Sequence, residues 1–200
     1  PNVRYIQGSV TTHFKSRTNG LASIAFDLVD SLQVTSVTWH GQVLTNHTHL
    51  NNILTIPLVQ PLNLGLIDSL TVQYQGIPPN TGFGSFEKSE HNGVPIIWTL
   101  SEPYGARDWW PNKQDLSDKI DSIDVFVTCP EAYRAAGNGL LVSEYPTGNG
   151  NKTYHWRHRH PIASYLVAFA VTNYVQYTDY AEITTGTLPI LNYVFPENLT

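Results

Sequence analysis

Residues 3–29 read VRYIQGSVTTHFKSRTNGLASIAFDLV, and this stretch decides the fold class. Polar and apolar residues alternate along 3–15 and again along 21–29, with β-branched side chains filling the pattern, which is the signature of half-buried strands. Asn19-Gly20 between the two runs reads as a hairpin turn, because both residues tolerate positive φ. The pattern then repeats. Residues 33–39 turn at His40-Gly41 into 42–45, Asn51-Asn52 opens 53–58, and 69–74 ends at Gly76-Ile77-Pro78-Pro79. Further strand-like runs cover 94–100, 120–128, 140–144, 152–159, 164–174 and 188–194. About a dozen strands without a convincing helix predict an all-β fold, sandwich-like or built on a large curved, saddle-like antiparallel sheet packed on smaller ones. No linker divides the chain, so residues 1–200 are expected to form one domain. The Gly-rich stretch 79–93 reads as a loop, too long for an ordinary hairpin connection.

The composition narrows the function classes. Apolar residues make up 41% of the 200 and aromatic residues 12%, enough to build a core, while charged residues reach only 14%. That charged share is about half the usual one, leaving a surface of Asn, Thr, Ser and Gln. It points to a secreted or periplasmic setting, with a cytoplasmic one as the alternative. The net charge of −5 and the lack of any Lys/Arg run argue against nucleic-acid binding. Cys129 is the single cysteine, which rules out an internal disulfide and a cysteine-based metal site. No apolar run reaches the length of a membrane-spanning helix, and Pro1-Asn2-Val3-Arg4 reads as domain sequence rather than a signal peptide. From the absence of methionine the chain is expected to be a processed or trimmed piece of a longer protein.

Residues 95–115, PIIWTLSEPYGARDWWPNKQD, follow neither period. A buried strand ends just before Glu102, and Pro103 holds the preceding residue extended. Gly105 permits a sharp backbone turn, and Trp109-Trp110-Pro111 supplies rigid bulk behind it. A carboxylate at a strand mouth, walled by aromatic rings, is a receptor for an ammonium group. Such a pair is worth about 4 kcal/mol at contact distance and an effective dielectric near 20. The competing reading pairs Glu102 with Arg107 and makes both tryptophans plain core. Sequence chemistry alone leaves both open.

The same residues resemble the N-terminal domain of the aminopeptidase N family, the gluzincin zinc aminopeptidases that include leukotriene hydrolase. The family pattern runs Thr-Gln-x-Glu or Thr-Gln-x-Gln, a short gap, Ala-Arg, an aromatic residue, Pro, Cys, two residues and Asp. Here it is matched by Thr99-Leu100-Ser101-Glu102, Gly105-Ala106-Arg107, Trp110-Pro111-Asn112 and Asp115. Residues 6–11, IQGSVT, resemble the family's opening strand, and 161–171, PIASYLVAFAV, its strand near the domain's end. Leu100 stands where the family has Gln, and Asn112 where it has Cys; the first removes a polar group near the pocket, the second changes packing.

The resemblance implies that catalysis belongs to a following domain of the same chain. There a His-Glu-x-x-His helix and a further Glu hold zinc, and the first Glu activates water. A Gly-x-Met-Glu-Asn segment there binds the substrate's amino end. The present sequence has no His-Glu dipeptide and no Met, so no catalytic residue, no metal ligand and no cofactor is expected within it, and alone it should be inactive. What the resemblance carries over is substrate binding: Glu102 would receive the free α-amino group of a peptide, with Tyr104 and Gly105 lining the first side-chain pocket. The implied partners are peptides with a free amino terminus and the catalytic domain.

Other candidates are weaker. His158 and His160 would share a strand face about 7 Å apart, a spacing some metal sites use, yet no third ligand is identifiable. Glu87 and Glu90 fall in the predicted loop, and Asp115, Asp118, Asp121 and Asp124 form an acidic run without calcium-loop spacing. Asn46-His47-Thr48, Asn151-Lys152-Thr153 and Asn198-Leu199-Thr200 fit the glycosylation acceptor pattern. A different class of function, a carbohydrate-binding or adhesion module, would use Tyr104, Trp109 and Trp110 as a stacking platform.

Overall fold

The computed structural model describes residues 3–80 and 84–199. Its N-terminal half is a sandwich of two antiparallel sheets. One sheet orders β1 (Ile6–Lys15), β7 (Ile67–Gly76), β3 (Leu32–Trp39) and β4 (Gln42–Val43) side by side, and the other orders β2 (Leu21–Asp27), β6 (Ile53–Leu62) and β5 (Thr48–Leu50). The alternation seen in the sequence explains the packing. Along β1, Ile6, Val10 and Phe14 face inward, while Gln7, Ser9, Thr11, His13 and Lys15 face water. Leu28, Leu32, Val37, Leu54, Ile56, Leu70 and Val72 fill the space between the sheets and are almost fully buried. Each such side chain contributes roughly 1.5–3 kcal/mol through loss of water contact.

One local expectation fails here. Asn19-Gly20 does not close a hairpin, since β1 and β2 lie in different sheets. Only Gly20 takes positive φ, 71°, whereas a two-residue hairpin turn of this type needs both residues there. The connection instead carries the chain from one sheet to the other, and β1 pairs with β7 along its whole length. His40-Gly41 and Asn51-Asn52 do turn as expected, each with both residues at positive φ.

The C-terminal half adds three antiparallel sheets. The first orders β11 (Arg134–Gly137), β14 (Phe169–Thr172), β9 (Val94–Thr99) and β8 (Phe86–His91). The second orders β10 (Ile123–Pro130), β13 (Asn151–His158) and β12 (Leu140–Gly148), and the third pairs β15 (Val175–Ile183) with β16 (Gly186–Val194). The stretch 79–93 is therefore not all loop. Residues 86–91 form an edge strand whose Asn92-Gly93 turn, at φ 50° and 77°, leads back into β9; residues 81–83 lie outside the described residues. Glu87 and Glu90 sit on that strand, Glu87 with Arg4 3.8 Å away. Residues 164–174 also divide, into a 3-10 turn at Ser164–Leu166 and then β14. The fold class is all-β and antiparallel, as the sequence predicts.

Candidate functional site

The two halves meet at the 101–115 loop. Trp110 and Ile6 pack against both the sandwich core and a second core made by Phe86, Ile97, Trp109, Ile162 and Val167. Backbone bonds fasten the same loop to β2 and the residues after it. Asn112 and Asp27 exchange a pair of N–H···O bonds at 2.7 and 3.1 Å, and the Val29 amide donates to the Arg107 carbonyl at 2.9 Å. The Tyr74 hydroxyl, at the far end of β7, donates to the Trp109 carbonyl at 2.8 Å. Burial raises the pKa of that phenol, so it stays a neutral donor.

Within this frame the loop makes a closed turn. The Gly105 amide donates to the Ser101 carbonyl at 2.8 Å, and the Trp109 indole N–H donates to Ser101 Oγ at 2.9 Å. Ala106–Asp108 then forms one turn of 3-10 helix. Ser101, Ala106, Asp108 and Trp109 are buried, whereas Glu102, Pro103 and Tyr104 project outward, with a cis Glu102–Pro103 peptide bond. A rigid base thus presents three exposed residues.

Gly105 has a role different from the one its sequence position implies. Its φ of −89° and ψ of −7° are open to any residue, so no special turn conformation requires glycine. The requirement is space: a Cβ there would lie 2.1 Å from Ser85 Oγ and 2.9 Å from Ser85 Cβ. Ser85 Oγ in turn donates to Asp108 Oδ2 at 2.7 Å. The Gly105 backbone therefore lies directly against a buried hydrogen bond.

No ion pair joins Glu102 to Arg107, and Glu102 makes no side-chain hydrogen bond among the described residues. The tryptophans, however, are core: Trp109 is 6% exposed and meets Phe169 edge-on at 5.4 Å. A buried Trp109 cannot stack on a sugar, so the three-ring platform does not form and only Tyr104, at 57%, is openly exposed. Leu100 lies at the strand end with 40% of its surface exposed. Asn112 is buried, donating through Nδ2 to the Trp110 carbonyl at 2.8 Å, while its Oδ1 finds no partner among the described residues.

The histidine-rich segment resolves into an ion-pair network that the sequence did not reveal. His155 Nε2, Arg157 Nε and Arg159 Nη2 converge on Asp124 at 2.6, 3.0 and 2.5 Å. Burial works to raise the Asp124 pKa, but these cationic and donor groups outweigh it and hold the carboxyl well below its usual range. The signal lay across the ladder, where Asp124 faces Arg157 in register. His158 and His160 approach with ring centroids 5.8 Å apart, and among the described residues no three His, Cys, Asp or Glu side chains gather as a metal site would need. Asp115 accepts from the Ser117 amide at 2.9 Å and from its hydroxyl at 2.6 Å, a local turn rather than a cation site. Asn46 and Asn198 are exposed and Asn151 half-buried; Thr200 of the last acceptor triplet lies outside the described residues.

Comparison with known proteins agrees with this architecture. Residues 1–166 match the model of the Peptidase M1 N-terminal domain. An M1 zinc metallopeptidase from Deinococcus radiodurans superposes with a TM-score of 0.85 at 26% identity, covering 100% of this chain and 46% of that one. A mutant of the M1 zinc metallopeptidase from the same organism, bound to a Tyr-Ser-Ala substrate, gives 0.84 at 25% identity, covering 100% and 48%. A two-domain M1 zinc metallopeptidase mutant bound to L-tryptophan gives the same values. The chain thus spans about half the length of these solved structures. No curated protein gives a significant match.

Proposed function

The chain belongs to the Peptidase M1 N-terminal domain family, and from that premise we propose that it walls the active-site cleft of a zinc aminopeptidase. In this reading Glu102 receives the free α-amino group of a peptide substrate, and Tyr104 lines the pocket for the first side chain. Gly105 acts beneath them, as the point where the turn rests on Ser85. The zinc and the water it activates would be held by another part of the parent protein, as the resemblance to the zinc aminopeptidases implies.

The observation that carries the reading is the state of Glu102. Its backbone is held by the Gly105–Ser101 bond and the buried Trp109, yet its carboxylate has no cationic partner among the described residues. An ammonium group arriving there has no internal salt bridge to displace. An internal peptide nitrogen carries no charge, so the same contact favours chain ends. Exposed ion pairs are worth up to about 1 kcal/mol, and a cleft that excludes water raises this several-fold.

The test is Glu102→Ala in the intact parent enzyme, assayed on an aminoacyl anilide. We expect kcat/KM to fall roughly 10- to 100-fold, chiefly through KM, with Glu102→Gln recovering part of the loss. An unchanged kcat/KM in Glu102→Ala would leave the domain a scaffold and remove the receptor role.

A further inference from the structure

The outer face of the β1–β7 ladder is polar for almost its whole length. Gln7 faces Gln75, Ser9 faces Gln73, Thr11 faces Thr71 and His13 faces Ser69, with a Gln7–Gln75 hydrogen bond at 3.1 Å and a Thr11–Thr71 bond at 2.8 Å. At its last rung the character changes, and Ile67 stands beside Lys15 with 73% of its surface exposed. The turn leading into β7 continues this change. Leu64 and Leu66 are 60% and 51% exposed, giving the run Leu64-Gly65-Leu66-Ile67 three large apolar side chains in water. Exposed apolar residues scattered singly need no explanation, but a consecutive run at one tip does.

This tip is firmly built. The Ser16 amide donates to the Leu66 carbonyl at 2.8 Å, the Gly65 amide to the Ser16 carbonyl at 2.9 Å, and the Leu64 amide to Asn19 Oδ1 at 3.1 Å. Two turns from the two sheets are thereby locked together, with Ser16 buried between them. Lys15 and Arg17 are exposed on the same end. The acidic residue that follows this tip in the sequence, Asp68, is withdrawn: its side chain is 6% exposed and holds His40 Nε2 at 2.6 Å and the Trp39 indole at 3.0 Å. In a chain of net charge −5, this end of the sandwich is apolar with a basic rim.

We propose that the tip formed by residues 15–19 and 63–67 docks on an anionic lipid bilayer, with Leu64, Leu66 and Ile67 entering the interface and Lys15 and Arg17 meeting the headgroups. Projecting turns present separate side chains that a fluid interface can surround, whereas a protein partner would need matching concave pockets. Flanking cations beside a withdrawn carboxylate fit a negative surface potential. Among the described residues no helix is long and apolar enough to cross a membrane.

The experiment is co-sedimentation of the purified protein with phosphatidylcholine vesicles, alone or carrying roughly a third phosphatidylglycerol. We expect binding to the anionic vesicles only, weakened when salt rises from about 0.1 to 0.5 M. Leu66→Asn with Ile67→Asn should lower the partition coefficient about tenfold or more, as should Lys15→Ser with Arg17→Ser. These positions are solvent-facing, and an unchanged urea midpoint will show that the variants remain folded. No binding to anionic vesicles, or binding that both double variants retain, overturns the proposal. So does concentration-dependent dimerisation that the apolar pair of substitutions abolishes, since the tip would then be a protein interface.

Discussion

Gly105→Ala gives the sharpest test of how the exposed turn is supported. At an ordinary right-handed position such as φ −89°, ψ −7°, alanine normally stabilises by about 0.4–1 kcal/mol, because it restricts the unfolded chain. Here the new methyl would sit 2.1 Å from Ser85 Oγ and 3.3 Å from Ser101 Cα. Rotating the hydroxyl away is insufficient, since Ser85 Cβ is only 2.9 Å off, and rotation would also break the buried 2.7 Å bond to Asp108. Overpacking costs roughly 1–3 kcal/mol and the lost hydrogen bond to a carboxylate roughly 1.5–3. Against the entropic gain, the net expectation is a loss of about 2–4 kcal/mol. Urea unfolding followed by tryptophan fluorescence will read it as a lower midpoint with unchanged slope. Ser85→Gly removes both offending atoms, so the double variant Ser85→Gly, Gly105→Ala should be more stable than the sum of the single changes implies, by at least about 1 kcal/mol. Should Gly105→Ala prove neutral or stabilising, or the two substitutions simply add, the close approach does not control this turn.

Two further outcomes follow from the same structure. Asp124→Asn should destabilise by about 1 kcal/mol near neutral pH, a modest figure because its arginine partners are nearly half exposed. The Asp124 pKa is depressed in the folded state, so its contribution is complete above the unfolded carboxyl value of about 4 and is lost as pH falls toward the folded value. The gap between wild type and variant should therefore close in urea titrations run below about pH 4; a gap that stays constant from pH 7 to 3 contradicts the assignment. Tyr74→Phe leaves the Trp109 carbonyl without its donor at the joint between the two halves, at a cost of about 1–1.5 kcal/mol. Calorimetry should show the loss as a lower Tm, and an unchanged Tm would mean that the bond contributes nothing to the joint.

The sequence made the strands of the sandwich legible because each buries one face, and a half-buried strand must alternate. It failed where burial was decided by distant partners. Residues 86–91, Phe-Glu-Lys-Ser-Glu-His, form the sheet's outermost strand, largely polar, and read as loop although Asn92-Gly93 after it is a strong turn signal. Asn19-Gly20 carried the opposite error. It has the composition of a hairpin turn, but whether its flanking strands pair depends on β7, some 50 residues away. Residues 134–137 and 175–183 escaped notice for a related reason: β11 is short, and β15 lacks clean alternation because most of its length is exposed.

The 101–115 loop shows why a residue proposed to bind substrate can be named from sequence while its support cannot. The groups that fix it are Asp27, Val29, Tyr74 and Ser85, all at least 15 residues from the loop. None leaves a pattern in 101–115 itself, and the loop's aperiodicity is the trace of serving two cores at once. This division of labour bears on the chemistry proposed for Glu102. Had an ion pair with Arg107 held the carboxylate, an incoming ammonium would have to compete with a cation already in place. Positioning through backbone bonds and a buried indole leaves the charge unspent, so the turn is rigid and its carboxylate still open. Loosening the support, as in Gly105→Ala, should therefore impair substrate binding in the parent enzyme even though Gly105 brings no side chain to the substrate.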